Sequence, residues 1–334
     1  MSTVSLCMIV KNEEKNLAAC LKSVAGAMDE IIVVDTGSSD RTIEAAKEFT
    51  SKIYHFDWVN DFSLARNFSF SKGTMDFLFW LDADDIVTPK DKNKLIKLKG
   101  KLKGVDLVFM PYLYSHDSKG KVTFIQTRER LIRRERGFQW QGAVHETIDM
   151  TGFNGRTISS DVAITHTKDF LDPNVAAGTT ARNEAILEGV IKSGNYSPRD
   201  LYYYAIALAT GTRKDEALPY LTEFIENPGI MMYSGFVAHL QASNILLKQG
   251  KFREAISILE DYEDRNKHRS EFYCTLGLYY HKLEKDLHKA KAAYEKALKC
   301  TGREPGGLLV DFQHDYYYKI PQAKLREIET LISR

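Results

Sequence analysis

The feature that most constrains this chain is a change of pattern near residue 175. Before it, short apolar runs alternate with helical spacing; after it, every apolar pattern is helical. Val4-Ser-Leu-Cys-Met-Ile-Val10, Ile31-Ile-Val-Val34, residues 52–56 and residues 76–81 read as strands. Between the first two, Leu17, Cys20, Leu21 and Val24 keep helical spacing. Asn12 is the expected N-cap there, with Glu13 and Glu14 favouring the helix N-terminus. Residues 42–49 make a second helix. Strands alternating with helices predict a layered α/β domain around a mostly parallel sheet. Residues 105–114, 122–133 and 138–148 are longer and β-rich, with a turn at 115–120. The Lys-rich stretch 90–104 reads as a solvated helix face.

In the second half, Ala217, Ala255 and Ala290 each stand early in a second helix, 38 and 35 residues apart. Gly211, Gly250 and the Glu284-Lys285 turn precede them. Paired helices at about 34 residues per unit are the signature of tetratricopeptide repeats. The third unit fits best, through Leu276-Gly277, Tyr280, Ala290, Tyr294 and Ala297, with one extra residue in its turn. A closing helix over 322–333 would complete a short solenoid able to hold something extended; a plain helical bundle is the alternative. The expected domains are 1–175 and 176–334. Helical repeats often pair, which leaves a homodimer open.

Composition excludes some function classes. Lys+Arg of 46 against Asp+Glu of 45 gives a formal net charge of +1, no footprint for nucleic acid or an anionic membrane. The run at 4–10 is too short to span a membrane and is not framed as a signal peptide. Cys7, Cys20, Cys274 and Cys300 show neither close pairing nor metal-ligand spacing, as expected of reduced thiols in a cytoplasmic protein.

The chemistry gathers where the apolar run 77–81 stops at Asp82, Asp84 and Asp85. Clustered carboxylates repel one another and resist losing water. A hard divalent cation such as Mg²⁺ or Mn²⁺ relieves both costs and usually takes further ligands from a substrate's phosphates. An Asp-rich turn capping the helix that Thr88-Pro89 begins is the competing reading. Lys11-Asn12-Glu13 and Asp35 fall at other strand ends, and in parallel sheets ligands bind beyond the carboxyl ends.

Four ordered motifs then coincide: Met8-Ile-Val-Lys-Asn-Glu-Glu14, Glu30-Ile-Ile-Val-Val-Asp-Thr-Gly-Ser-Ser-Asp40-Arg-Thr, Phe62-Ser-Leu-Ala-Arg66-Asn67 and Leu81-Asp-Ala-Asp-Asp85. In that order they resemble family 2 glycosyltransferases over roughly the first half of the chain. With helical repeats appended, the whole is similar to the branch that includes the sublancin-type peptide S-glycosyltransferases. The resemblance implies a GT-A fold and inverting, metal-dependent transfer from a nucleotide-diphospho-sugar, UDP-linked in the first instance. It places Lys11 and Glu13 along the nucleoside, Asp35 on the base, Arg66 toward a phosphate, Asp82 on ribose or sugar, and Asp84 on the cation. Asp85 is left to cap the following helix. Trp140-Gln-Gly-Ala-Val-His145-Glu146 resembles the motif that supplies the base, Glu146 with His145 close behind. Trp140 either stacks on a sugar or packs in the core. His166 would complete the metal site or touch the diphosphate. Solenoid grooves suit extended chains, so the implied acceptor is a polypeptide. A lipopolysaccharide core or other cell-surface glycan is the alternative acceptor, and an inactive transferase domain in a repeat scaffold the alternative of another class.

Overall fold

An apolar strand covered on both faces must divide its side chains between two cores, and β1 (Val4–Val10) does. Val4, Leu6, Met8 and Val10 join one cluster and Cys7 the other. β4 (Phe77–Trp80) splits the same way, Phe77 and Phe79 against Leu78 and Trp80. The protein is described here from a computed structural model covering residues 1–116, 120, 122–167, 173–226, 232–301 and 314–333. Most of the turn expected at 115–120 lies outside these residues.

β2 (Glu30–Asp35), β3 (Ile53–His55), β5 (Asp85–Ile86), β6 (Leu107–His116), β7 (Val122–Arg133), β10 (Thr157–Ser159) and β11 (Ile164–His166) complete the sheet. Its order is β3-β2-β1-β4-β7-β6-β11-β5, with β10 beside β6. β7 and β5 run antiparallel to their neighbours and the remaining pairs are parallel. The result is the mixed, mostly parallel sheet of the expected GT-A-like domain. α1 (Leu17–Val24), α2 (Thr42–Lys47), α3 (Phe62–Lys72) and α4 (Pro89–Lys99) connect the early strands.

Three local expectations are corrected. Asn12 does not cap α1: its φ is 55° and its side chain accepts from Ser39 N at 2.8 Å. Asp85 does not cap α4, because the Thr88 hydroxyl takes Asp91 N at 3.2 Å, and Asp85 goes into the sheet instead. Residues 138–148 form only the small hairpin β8 (Trp140–Gln141) and β9 (Thr147–Ile148). Gly142 at φ 92° and His145 at φ 55° turn the chain between them.

Buried Glu30 ties the N-terminal ends of β1, β2 and β4 together. It accepts from the Ser5 hydroxyl, the Lys52 ammonium, Thr74 N at 2.8 Å and the Thr74 hydroxyl at 2.9 Å. Burial would raise this carboxyl, but these donors outweigh it and hold it at about 2, against an ordinary 4.5. A depressed folded value means that the contribution to stability is present above pH 4.5 and is lost as the pH falls toward 2. Glu30→Gln is therefore expected to cost about 2 kcal/mol at neutral pH. Thermal melts of the two proteins should converge as the pH is lowered; a constant difference down to acid pH would count against the network.

The chain divides into two compact units, Met1–Ile186 and Leu187–Arg334. A helix, α5 (Pro173–Lys192), covers the junction in sequence. In the second unit α6 (Pro198–Thr210) packs with α7 (Ala217–Glu226), α8 (Met232–Lys248) with α9 (Phe252–Glu260), and α10 (Ser270–Tyr279) with α11 (Leu287–Lys299). α12 (His314–Tyr318) and α13 (Ile320–Ile332) follow, α13 being the closing helix. Ala217, Ala255 and Ala290 are each fully buried, small side chains where helices approach closely. The extra residue of the third turn is absorbed by a wider helical turn at Tyr280–Glu284 and a left-handed Lys285. At Gly277 a Cβ would stand 2.8 Å from the buried Tyr294 ring. Gly277→Ala is expected to cost about 1–3 kcal/mol despite alanine's higher helix propensity. An unchanged denaturant midpoint would show that α10 and α11 separate freely.

Candidate active site

The carboxyl ends of β1, β2 and β4 lie side by side, since Val10 pairs with Asp35 and Cys7 with Trp80. Loops after β1 and β2 are laced by their own polar groups. Asn12 N donates to Ser38 Oγ at 3.0 Å, Glu13 N to Thr42 Oγ1 at 2.7 Å and Glu14 N to Asp40 Oδ2 at 3.1 Å. Asp35 is buried and accepts from Gly37 N at 3.1 Å and Ser38 N at 3.2 Å, holding the turn in which Gly37 adopts φ 101°. Lys11 is exposed at this rim, and half-buried Glu13 accepts from Asn16 Nδ2 at 2.8 Å.

The centre of the site is a guanidinium shared by two carboxylates. Arg66, on α3, donates Nη2 to Asp82 Oδ1 at 2.7 Å and Nε to Glu146 Oε1. Its guanidinium sits 4.4 Å from the Trp80 ring centroid and 5.1 Å from that of Trp140. Helix α3 is fixed by Asn67, whose side-chain amide donates to Trp140 O at 3.0 Å and accepts from Trp140 N at 2.7 Å. Phe62 N donates to Ala143 O at 2.9 Å, which anchors the hairpin loop carrying Glu146. Burial would raise the Glu146 carboxyl, but the charge and hydrogen bond of Arg66 hold it below its usual range. Asp82, raised by burial and lowered more strongly by Arg66 and Arg130, sits at about 2. Both are therefore ionised at neutral pH. In this state Arg66 is engaged with carboxylates, where the resemblance points it toward a phosphate.

Beside this pair, Asp84, Asp85 and His166 place one ligand atom each within 4.8 Å of one another, all three buried. The pairing of β11 with β5 sets His166 opposite Asp85. Asp84 Oδ1 lies 3.5 Å from His166 Nδ1, and Thr167 donates to Asp84 O from N at 2.9 Å and from Oγ1 at 2.6 Å. Carboxylate oxygens with one imidazole suit Mn²⁺, and Mg²⁺ through the oxygens. Asp84 and His166 fit a cation; Asp85 is occupied otherwise. Its Oδ1 accepts from Tyr112 Oη at 2.8 Å, and its Oδ2 from Arg130 Nη1 at 3.2 Å and Asp82 N at 3.0 Å.

The Trp140 ring takes the core-packing alternative: it is 3 % exposed, edge-on to Trp80 at 5.2 Å and Phe70 at 5.4 Å. His145 is exposed while Glu146 beside it is buried, so the left-handed backbone at His145 directs the two to different surroundings. Sequence reasoning missed Tyr112, Arg128 and Arg130. They sit inside β-rich runs with no motif around them. Both arginines stand beside the Trp80 ring, Arg128 at 5.0 Å and Arg130 at 3.7 Å from its centroid, and Arg128 Nη2 reaches Glu146 O at 3.1 Å.

The profile described as Glycosyl transferase family 2 matches residues 5–161. A TPR repeat-containing protein of Synechococcus elongatus is 37 % identical over 149 residues, 45 % of this chain and 36 % of that protein. The SPbeta prophage-derived glycosyltransferase SunS of Bacillus subtilis is 28 % identical over 232 residues, 67 % of this chain and 54 % of its own. The chain thus spans between about a third and about half of the length of these curated relatives. Among solved structures, Staphylococcus aureus TarS 1–349 aligns over 88 % of this chain and 90 % of its own, at 14 % identity and a TM-score of 0.38. Among the described residues, no helix is long and apolar enough to cross a membrane.

Proposed function

Since residues 5–161 belong to glycosyl transferase family 2, we propose that this protein transfers a sugar, with inversion, from a nucleotide-diphospho-sugar to a polypeptide side chain. UDP-sugars are the expected donors. The observation that carries the reading is the Asp82–Arg66–Glu146 bridge beside the Asp84–His166 pair, at the carboxyl ends of parallel strands. The donor's nucleoside lies along Lys11 and Glu13, with Asp35 accepting from the base imide through lone pairs its turn leaves over. Asp82, whose side chain is 36 % exposed, contacts the ribose or sugar. Asp84 and His166 would hold a divalent cation, which would supply charge neutralisation for the leaving diphosphate.

Glu146 takes the acceptor's proton, and Arg66 aims it. That ion pair keeps Glu146 ionised at the expense of some proton affinity. A phosphate reaching Arg66 would compete with the carboxylates for the guanidinium and restore basicity to Glu146. Lysine is a point charge that does not span both carboxylates, so Arg66→Lys is expected to lower turnover about 10²-fold through misplacement of Glu146. Single-turnover rates with donor-saturated enzyme check this, and an unchanged rate would leave Arg66 a structural role only. The polypeptide acceptor is supported by the helical unit and by the resemblance to peptide S-glycosyltransferases.

The test is donor hydrolysis with UDP- and GDP-sugars, with Mn²⁺ or Mg²⁺ and then with chelator, followed by peptide and glycan acceptors. Cation-dependent UDP release supports the reading. Neither release nor binding of any donor would move the protein to the inactive-scaffold class.

A further inference from the structure

Asp85 stands in the cation-holding group by distance, yet every feature around it marks a different task. It is fully buried, and so is Arg130, with which it forms an ion pair closed to solvent on both sides. The Arg130 guanidinium lies 3.7 Å from the Trp80 ring centroid and 4.4 Å from that of Tyr112, and its Nη1 also donates to Trp80 O at 3.1 Å. Among the described residues its Nε and Nη2 find no hydrogen-bond partner, so the guanidinium is held by ring faces and one acceptor edge. Such an arrangement is costly unless geometry repays it. Three of the roughly four lone-pair sites of Asp85 are taken, by Tyr112, Arg130 and Asp82 N.

We propose that Asp85, Tyr112 and Arg130 form a buried positioning hub, with Asp85 not a cation ligand, that sets Asp84 and His166 for the cation of the proposed reaction. The hub reaches both ends of the site. Through Asp82 N and Trp80 O it fixes the turn carrying Asp82 and Asp84. Through Tyr112, 2.9 Å from His166 Nδ1, it fixes the imidazole, which also stacks on Tyr114 at 5.1 Å and 9°. Tyr112 has one proton, and the carboxylate anion is its stronger acceptor. Its oxygen then faces His166 Nδ1, the ring nitrogen that lies 3.5 Å from Asp84 Oδ1, and fixes the orientation of that imidazole.

This inference rests on the cation reading, and the test separates the two. Mn²⁺ binding to the full chain is titrated by electron paramagnetic resonance, alone and with UDP, for wild type, Asp84→Asn and Tyr112→Phe. Tyr112→Phe removes one oxygen and keeps the ring, and it should weaken Mn²⁺ binding at least tenfold, in the range known for lost partners of metal ligands. Its melting temperature without metal should stay within a few degrees of wild type. Affinity equal to or tighter than wild type would overturn the hub, since releasing Asp85 would then cost the site nothing. Should Tyr112→Phe not fold, Arg130→Lys decides by the same titration, with the same tenfold loss expected and unchanged affinity again overturning the hub. Wild type without Mn²⁺ binding in either condition, or Asp84→Asn binding as wild type does, would instead remove the cation reading and the hub with it.

Discussion

Replacing Asp84 by Asn is expected to lower sugar transfer about 10³-fold and to remove its response to added Mn²⁺ or Mg²⁺, the scale of losing one preorganised electrostatic partner of the transition state. The substitution keeps shape and removes a charge. Asp84 is buried beside Asp85 and His166, so wild type carries like-charge repulsion that the variant lacks. Its melting temperature should therefore stay level or rise without metal while activity collapses. This opposition of stability and function is common at functional sites and separates a cation role from a folding role. UDP release measured with and without chelator, beside a thermal melt, reads both. A variant with wild-type release, still abolished by chelator, would move the cation away from Asp84.

Glu146→Gln should leave donor binding nearly intact and cut turnover by about 10²–10⁴-fold, as loss of a general base does. Glutamine still offers an oxygen to Arg66 Nε, so the bridge to Asp82 survives in part. The pH profile distinguishes the base. Because the Glu146 carboxyl is held below its ordinary 4.5, the form that accepts a proton is present above that value and is lost as the pH falls through the depressed one. The acid limb of kcat/KM should lie below 4.5 and vanish in the variant. An imidazole base would place that limb near ~6.5. A limb at that height, abolished by His145→Ala and kept in Glu146→Gln, would transfer the base to His145.

Where local pattern and chemistry coincide, the sequence is a sufficient guide. The apolar runs 4–10 and 77–81 had to be strands covered on both faces, and their abrupt polar ends had to gather beyond the sheet. The spacing of Ala217, Ala255 and Ala290 announced paired helices, because only small side chains allow those helices to approach. Helix starts were less legible: Asn12 has the composition of a cap but spends its side chain on Ser39, a partner 27 residues away.

The fold class, the strand-end site and the helical second half followed from the sequence alone, since periodicity and strand-end chemistry are properties of neighbours along the chain. Which charge meets which was decided only by tertiary structure. Arg66 and Glu146 are 80 residues apart, Asp85 and Arg130 45, and Tyr112 and His166 54. Nothing local distinguishes an Arg in a β-rich run from a solvated one. Its partner is fixed by strand order and register, here the insertion of antiparallel β7 beside β4 and the pairing of β11 with β5. The energy of a buried ion pair depends on that placement, because desolvation cost and Coulomb gain nearly cancel until geometry is set.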